Sequence, residues 1–361
     1  MRILQIINRC SVANGAAMVM QSTVPSLIQN GHKVDVLALV DVTPSCGDVF
    51  EKLGCGYKYI NPEGTSLYTP SLLRKISKEM KKYDVVHVHL FPSFYWAALV
   101  KFLGRYKGKL VYTEHSTNNN RQKPYLRILE RFIYRRYDCI VAISDAVATN
   151  LKNHLQGEYP IQIVHNGIDV DYYMNHTPIS REELGVPADS VILTQVARFG
   201  PEKDQMTVLR ALKRLPENYH VVFVGGGSLI ERHKEYAKEL NLEDRTHFLG
   251  IRRDVAAILK ASDIVLMSSH FEGFGLTAIE GMAAGKPVIA SDVPGLKDVV
   301  AGAGMLFEAH NETQLAEAIQ KLSSDMEYYS ELVSRCVQRA HIYSSTSMAL
   351  QYESIYKSEI K

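Results

Sequence analysis

The segment Glu272-Gly-Phe-Gly-Leu-Thr-Ala-Ile-Glu280 sets two carboxylates around two glycines, directly after an apolar run at 264–268. A strand, a glycine-containing turn and a helix start present backbone N–H groups and the positive end of the helix dipole, which suits a phosphate. Gly273 and Gly275 let that backbone approach a ligand without side-chain obstruction. Glu280, about one turn into the helix, can accept from neutral hydroxyls such as those of ribose. Arg198 and Lys203, in the loop after the run 191–197, offer a planar fork and a mobile point charge, a complementary pair for a diphosphate. Taken singly, these segments read rather as a capped helix with solvated acids and a solvated charge pair. Loops at the carboxyl ends of parallel strands converge on one rim, so jointly they point to a phosphate-bearing ligand.

Those loops require strands to carry them. Short Val/Ile-rich runs at 3–7, 34–40, 57–60, 85–89, 110–115, 140–144 and 161–165 alternate with helix-length stretches, and the same grammar repeats at 191–197, 220–224, 247–249, 264–268, 288–291 and 305–307. This predicts an α/β chain with two Rossmann-like, doubly wound parallel sheets. Residues 166–187 hold Asn-Gly, an Asp/Tyr-rich stretch and two prolines without clean periodicity. The expected division is a first domain over 1–168, a linker over 169–187, a second domain over 188–340, and a C-terminal helix over 341–361 that crosses back to the first. Helical periodicity at 312–323, 326–340 and 347–356 follows the last strand signal. Ligands of such folds lie in the crevice at the carboxyl ends of the strands and between domains.

Composition excludes several classes. With 41 Lys+Arg against 39 Asp+Glu, the net charge of +2 does not describe a nucleic-acid binder. The cysteines Cys10, Cys46, Cys55, Cys139 and Cys336 show no metal-ligand spacing and are expected to be buried, reduced thiols. No apolar run has the length of a membrane span or a signal sequence, so a cytoplasmic location is expected. The stretch 121–137 places Arg127, Arg131 and Arg135 at i, i+4, i+8 beside Tyr125, Leu126, Leu129, Phe132 and Ile133, with Trp96 and further aromatics in 91–102. This reads either as helices covering a sheet with solvated arginines or as a face resting peripherally on an anionic membrane.

Several motifs in order carry a resemblance: Glu272 to Glu280, Arg198 with Lys203, Gly225-Gly226-Gly227 after a strand, Val164-His-Asn-Gly-Ile-Asp169, and Ala284-Gly-Lys-Pro-Val-Ile-Ala-Ser291. Across nearly the whole chain they resemble family 4 of the retaining glycosyltransferases, which have the GT-B fold of two Rossmann-like domains facing a central cleft. The resemblance implies a nucleotide-sugar co-substrate of UDP or GDP type, with no further cofactor, and a saccharide or lipid-linked saccharide acceptor in bacterial polysaccharide or glycolipid synthesis. It implies that Arg198 and Lys203 hold the donor diphosphate, assisted by the backbone amides of Gly275 and Leu276, with Gly273 and Phe274 also in the donor site, that Glu280 binds ribose, and that Glu272 binds the transferred sugar. Gly250 and Arg252 match the loop flanking the base, and Gly15 the glycine loop after the first strand, although Ala16 takes the place of a second glycine. His115 matches a histidine near the donor sugar. Asp298, where the family commonly has Glu, receives no role. No Asp-x-Asp stands in a loop suited to bring a metal to the diphosphate, so metal independence is expected, the Arg/Lys pair supplying positive charge instead.

An NAD-dependent oxidoreductase would open with Gly-x-Gly-x-x-Gly, and residues 10–16 lack that spacing. A nucleotide-sugar epimerase of the same fold is the nearest alternative, and a non-catalytic two-domain ligand-binding protein a more distant one.

Overall fold

The computed structural model describes residues 1–11, 14–116 and 123–359; Arg121, the first arginine of the stretch 121–137, lies outside them. The chain divides into two compact units, 1–167 with 345–361, and 168–344. Each is built on one parallel sheet.

The first unit carries β1 (Arg2–Ile7), β2 (Lys33–Val40), β3 (Gly56–Asn61), β4 (Val85–His89), β5 (Lys109–Glu114), β6 (Cys139–Ala142) and β7 (Ile161–Ile163). Among the described residues they form a seven-stranded sheet in the order β3-β2-β1-β4-β5-β6-β7. Ile3 pairs with Val34 on one side and Val85 on the other. The order reverses direction at β1, which opens a crevice at the carboxyl ends of β1 and β4. Strands such as β4 and β5 are buried along their whole length, because helices cover both faces of a parallel sheet and leave no solvated side.

The second unit carries β8 (Val191–Val196), β9 (Tyr219–Val224), β10 (Thr246–Phe248), β11 (Ile264–Met267), β12 (Val288–Ser291) and β13 (Met305–Phe307), in the order β10-β9-β8-β11-β12-β13. Its reversal lies between β8 and β11, the two strands whose loops hold Lys203 and Glu272. Leu193, Leu209, Leu212, Phe223, Leu315 and Ile319 close one face of the core. Each strand segment expected from the sequence is present. Residues 169–187, expected as a linker, belong to the second unit, where Val170–Met174 forms a helix packed on the Leu276–Ala283 helix.

The last helix, Ser345–Lys357, packs in the first unit against the Gly15–Gln29 helix. Its Tyr352 and Tyr356 are buried beside His87. No helix among the described residues is long and apolar enough to cross a membrane.

One expectation about the cysteines is corrected. Cys10 and Cys46 are not reduced thiols but joined as a disulfide. Ser11 and Ser45 form an isolated antiparallel bridge and Cys46 N donates to Cys10 O at 2.8 Å, which brings the two Cα atoms to 5.6 Å, within bonding reach. That pairing links two loops 36 residues apart and leaves no mark in either segment alone. Cys55, Cys139 and Cys336 are free and buried, and burial pushes each thiol up to about 11. The arginines of the stripe have partners while remaining in part open to solvent: Arg127 donates to Gln156 Oε1, Arg131 donates to Leu155 O at 2.6 Å, and the exposed Arg135 lies over the Tyr159 ring. Arg131 therefore caps the end of the Asp145–Leu155 helix, whose last carbonyls attract cations, while Arg127 reaches only the Gln156 side chain beyond it.

Candidate functional site

In the second unit, the loop after β8 is stopped by Asp204, whose carboxylate accepts from Thr207 N and Thr207 Oγ1 and caps the Gln205–Arg214 helix. This fixes Lys203 one residue before the cap. Lys203 forms an isolated bridge with Ser269, just beyond β11, and its ammonium makes an ion pair with Glu272. The two side chains are only 12% and 21% exposed. Arg198 is exposed, and its Nε and Nη2 donate to Glu202 Oε1 at 2.9 and 2.6 Å. Both cations expected to meet a diphosphate are thus held by carboxylates of the chain itself.

Glu272 opens the turn into the Leu276–Ala283 helix, and its Oε1 accepts from Gly273 N at 3.1 Å. Phe274 is buried with its ring edge-on to Tyr343 at 5.3 Å, anchoring the turn. Gly275 sits at φ +89, and a β-carbon there would lie 2.4 Å from Leu296 Cδ2, so both backbone and space demand glycine. Glycine also brings no side chain to cap the helix, which leaves its first amides, beginning at Leu276, for an outside acceptor. One turn on, Glu280 is partly buried and accepts a hydrogen bond from Tyr173. Burial raises the Glu280 carboxyl to about 7, and the Tyr173 bond pulls in the opposite direction.

The Gly225-Gly226-Gly227 turn after β9 stitches the neighbouring loops. A β-carbon on Gly225 would meet Ala197 O at 2.1 Å; Gly225 N donates to Gly250 O at 2.8 Å and Phe199 N to Gly226 O at 2.9 Å. Gly250 is thereby joined to the loop of Arg198. Arg252 is directed elsewhere, donating twice to Asp254 at 2.8 and 2.5 Å.

In the first unit, Gly15 starts the Gly15–Gln29 helix with open space where a side chain would be, and Asn14 Oδ1 accepts from Ala16 N. His115 follows β5 and meets His89 across the strand register, its Nε2 lying 3.0 Å from His89 Nδ1. His89 Nε2 lies 2.7 Å from Gln5 Oε1, and Gln5 Nε2 donates to Tyr356 Oη at 3.5 Å. His87 bonds Tyr356 Oη and Thr113 Oγ1, both at 2.7 Å. Burial lowers His115 to about 4 and His87 to about 3, and holds His89 well below its ordinary value, so all three are neutral at pH 7. The hydrogens then follow from chemistry. An amide oxygen only accepts, so His89 Nε2 carries the proton; its Nδ1 accepts, so His115 Nε2 donates. His115 Nδ1 is left as the acceptor nitrogen.

The sequence reading did not single out Glu202, Tyr173 or the Gln5–His89 pair. His87 and His89 stand two apart on β4, as Thr113 on β5 and His115 just beyond it do, a two-residue period that puts all four on one face of the sheet. That alternation was the available signal; Tyr173, in a stretch without periodicity, offered none.

A sequence profile of the glycosyl transferases group 1 matches residues 177–341, and one of glycosyltransferase family 4 matches 13–172. The chain is 27% identical to a D-inositol 3-phosphate glycosyltransferase of Corynebacterium glutamicum (strain R), over 96% of this chain and 92% of that one. It is 28% identical to the N-acetyl-alpha-D-glucosaminyl L-malate synthase of Bacillus anthracis, over 82% of each. Among solved structures, Anabaena Alr3699/HepE in complex with UDP and glucose superposes with a TM-score of 0.85 at 21% identity, over 99% of this chain and 100% of that one, a likeness of fold.

Proposed function

The chain belongs to the group 1, family 4 glycosyltransferases, and from that premise we propose that it moves a sugar, with retention at the anomeric carbon, from a nucleotide-diphosphate donor of UDP or GDP type to a hydroxyl acceptor. The observation that carries this reading is the Lys203–Glu272 ion pair at the mouth of a helix that no side chain caps. A diphosphate is the ligand that such a pair awaits. It takes Lys203, draws Arg198 from Glu202, and accepts from the amides at Gly275 and Leu276. Glu272, released from its cation, becomes an acceptor for hydroxyls of the transferred sugar. The exposed Arg198–Glu202 bridge costs little to open, on the order of 0–1 kcal/mol; the less exposed Lys203–Glu272 pair costs more, which favours a ligand with more than one negative charge.

In the transfer step the bond from the anomeric carbon to the diphosphate oxygen breaks, and the charge gathering on that oxygen meets cations already in position. The acceptor oxygen bonds to the same face and loses its proton. No metal is needed at the diphosphate on this reading. Glu280 receives the ribose hydroxyls, Gly250 and Arg252 flank the base, Gly15 lets backbone approach the donor, and His115 Nδ1 accepts from a sugar hydroxyl. The acceptor is a saccharide or lipid-linked saccharide, and the reaction is placed in the cytoplasm. The exposed Tyr125, Ile128 and Leu129 favour contact with a membrane surface through apolar side chains rather than through the engaged arginines.

Arg198→Ala and Lys203→Ala should each lower kcat by at least ~10²-fold, the scale of removing one group that stabilises developing charge. A screen of nucleotide sugars by thermal shift supplies the donor, and NMR of the product supplies the anomer. Turnover within a few-fold of wild type in both variants would remove the diphosphate assignment. Conversion of donor to its epimer without any acceptor would turn the reading to an epimerase.

A further inference from the structure

Asp204, His270 and His310 come together in the second unit from three separate loops, those after β8, β11 and β13. Their ligand atoms all lie within 4.8 Å of one another. Asp204 is buried, whereas the two histidines are exposed and stack with ring centroids 4.8 Å apart. His310 holds a backbone φ of +69, a conformation that side-chain-bearing residues rarely adopt, and from it places Nδ1 3.1 Å from Asp204 Oδ2. We propose that these three residues form a binding site for a borderline divalent transition ion, zinc above all, that clips the three loops together.

The donor set fits. Two imidazoles and one carboxylate are ligands for zinc at about 2.0–2.2 Å, and neighbouring ligands of a tetrahedral ion at that distance stand about 3.3 Å apart. The His310 Nδ1 to Asp204 Oδ2 separation already has that length, with a proton holding the edge that the ion would take over. The carboxylate is oriented in advance, because Thr207 N donates to Oδ1 at 3.1 Å and Thr207 Oγ1 to Oδ2 at 2.6 Å, the outer hydrogen bonds that fix a metal-binding carboxylate. Three ligands leave a fourth position to water. Hard cations such as magnesium are disfavoured, since they call for an all-oxygen shell.

The place of the clip gives it a consequence. Asp204 adjoins Lys203, and His270 is two residues before Glu272; Asp204 N already donates to Ser268 O, and His270 N to Glu202 O. An ion bound to both side chains holds the loop of Lys203 to the loop of Glu272 without touching either charge. Its role is to stiffen these loops, separate from the diphosphate chemistry, and it stands or falls independently of the proposed reaction.

Metal-free protein, stripped with chelator and dialysed, is titrated with zinc chloride by calorimetry and with cobalt chloride by visible absorption. Wild type should take up one ion per chain, raise its Tm with zinc, and show the d–d bands of cobalt in a site of low coordination number. His310→Gly removes a ligand while giving the φ of +69 to the residue best suited to it, so the variant should fold at least as well as metal-free wild type. It should bind zinc at least about a hundredfold more weakly and lose the zinc-dependent rise in Tm. His270→Asn should weaken binding similarly. Absence of saturable zinc binding to wild type, or equal binding by His310→Gly and His270→Asn, would overturn the site and leave His310 as an ordinary hydrogen-bond donor to Asp204.

Discussion

Glu280 is the residue at which pH and ligand binding meet. Burial raises its carboxyl to about 7, above the ordinary carboxylate range. The folded state therefore holds this proton more tightly than the unfolded chain, so the stability it contributes is complete below the unfolded value of about 4.3 and is lost as pH rises through 7. Ribose hydroxyls donate, and a carboxylate accepts from two donors better than a carboxylic acid, so nucleotide binding draws the proton off. Affinity for UDP should accordingly rise with pH up to about 7, by at most roughly tenfold per pH unit, and level off above it. Glu280→Gln should remove this dependence while keeping whatever comes from the titration of UDP itself. Parallel pH profiles for the two proteins would speak against Glu280 as the ribose partner. Gln5 acts at one remove, as a positioning residue, because its Oε1 sets the tautomer of His89 and through it that of His115. Gln5→Leu should let His115 exchange tautomers, visible in imidazole ¹⁵N shifts, and lower kcat with little change in donor KM. Gln5→Glu, which keeps the acceptor, should retain the wild-type tautomer. An unchanged His115 tautomer in Gln5→Leu would refute the relay.

The turn from β11 into the Leu276–Ala283 helix shows how element geometry serves the site. Gly275 is held to glycine by φ +89 and by Leu296 at the same time. Gly275→Ala should therefore cost about 1–3 kcal/mol in denaturant unfolding and weaken UDP binding in the same variant, since the shifted turn carries the amides. Stability loss without weaker UDP binding would detach the turn from the ligand. This element was readable in advance because its signals are local: an apolar run, two glycines, then helical periodicity. The strands were legible for the same reason, since burial on both faces writes them as uninterrupted Val/Ile runs. What was not legible is partnership across sequence distance. The pairing of Arg198 with Glu202 lies within one loop, but that of Glu280 with Tyr173, of Cys10 with Cys46, and of Arg131 with Leu155 O depends on which loops the fold brings together. Positions 169–187 misled because turn residues and lack of periodicity signal a linker, whereas Asp169 caps a short helix by accepting from Tyr172 N, and Tyr173 anchors it.

At the scale of the whole chain, the backbone passes between the two units twice, at 167–168 and at 344–345, so the first unit is completed only by residues 345–361. The Ser345–Lys357 helix buries Met348, Tyr352, Ile355 and Tyr356, and Lys109 donates to Ser358 O at 2.6 Å near the chain end. Burial of four such side chains contributes roughly 6–12 kcal/mol, comparable to the whole margin of about 5–15 kcal/mol by which a domain is stable. Removing residues 345–361 would also expose His87, Thr113 and Gln5, whose hydrogen bonds end on Tyr352 and Tyr356. The second unit is complete without this helix: its strands, its core around Leu209, Phe223 and Ile319, and the groups assigned to the diphosphate all lie in 168–344. Deletion of 345–361 should therefore unfold the first unit and leave the second. Limited proteolysis should degrade the region 1–167 and spare a fragment from about residue 168 onward, transferase activity should vanish, and calorimetry should show UDP bound with near wild-type affinity. Loss of UDP binding together with the first unit would mean that the nucleotide is not held by the second unit alone, and the roles given to Lys203, Glu272 and Glu280 would have to be shared with residues of the first.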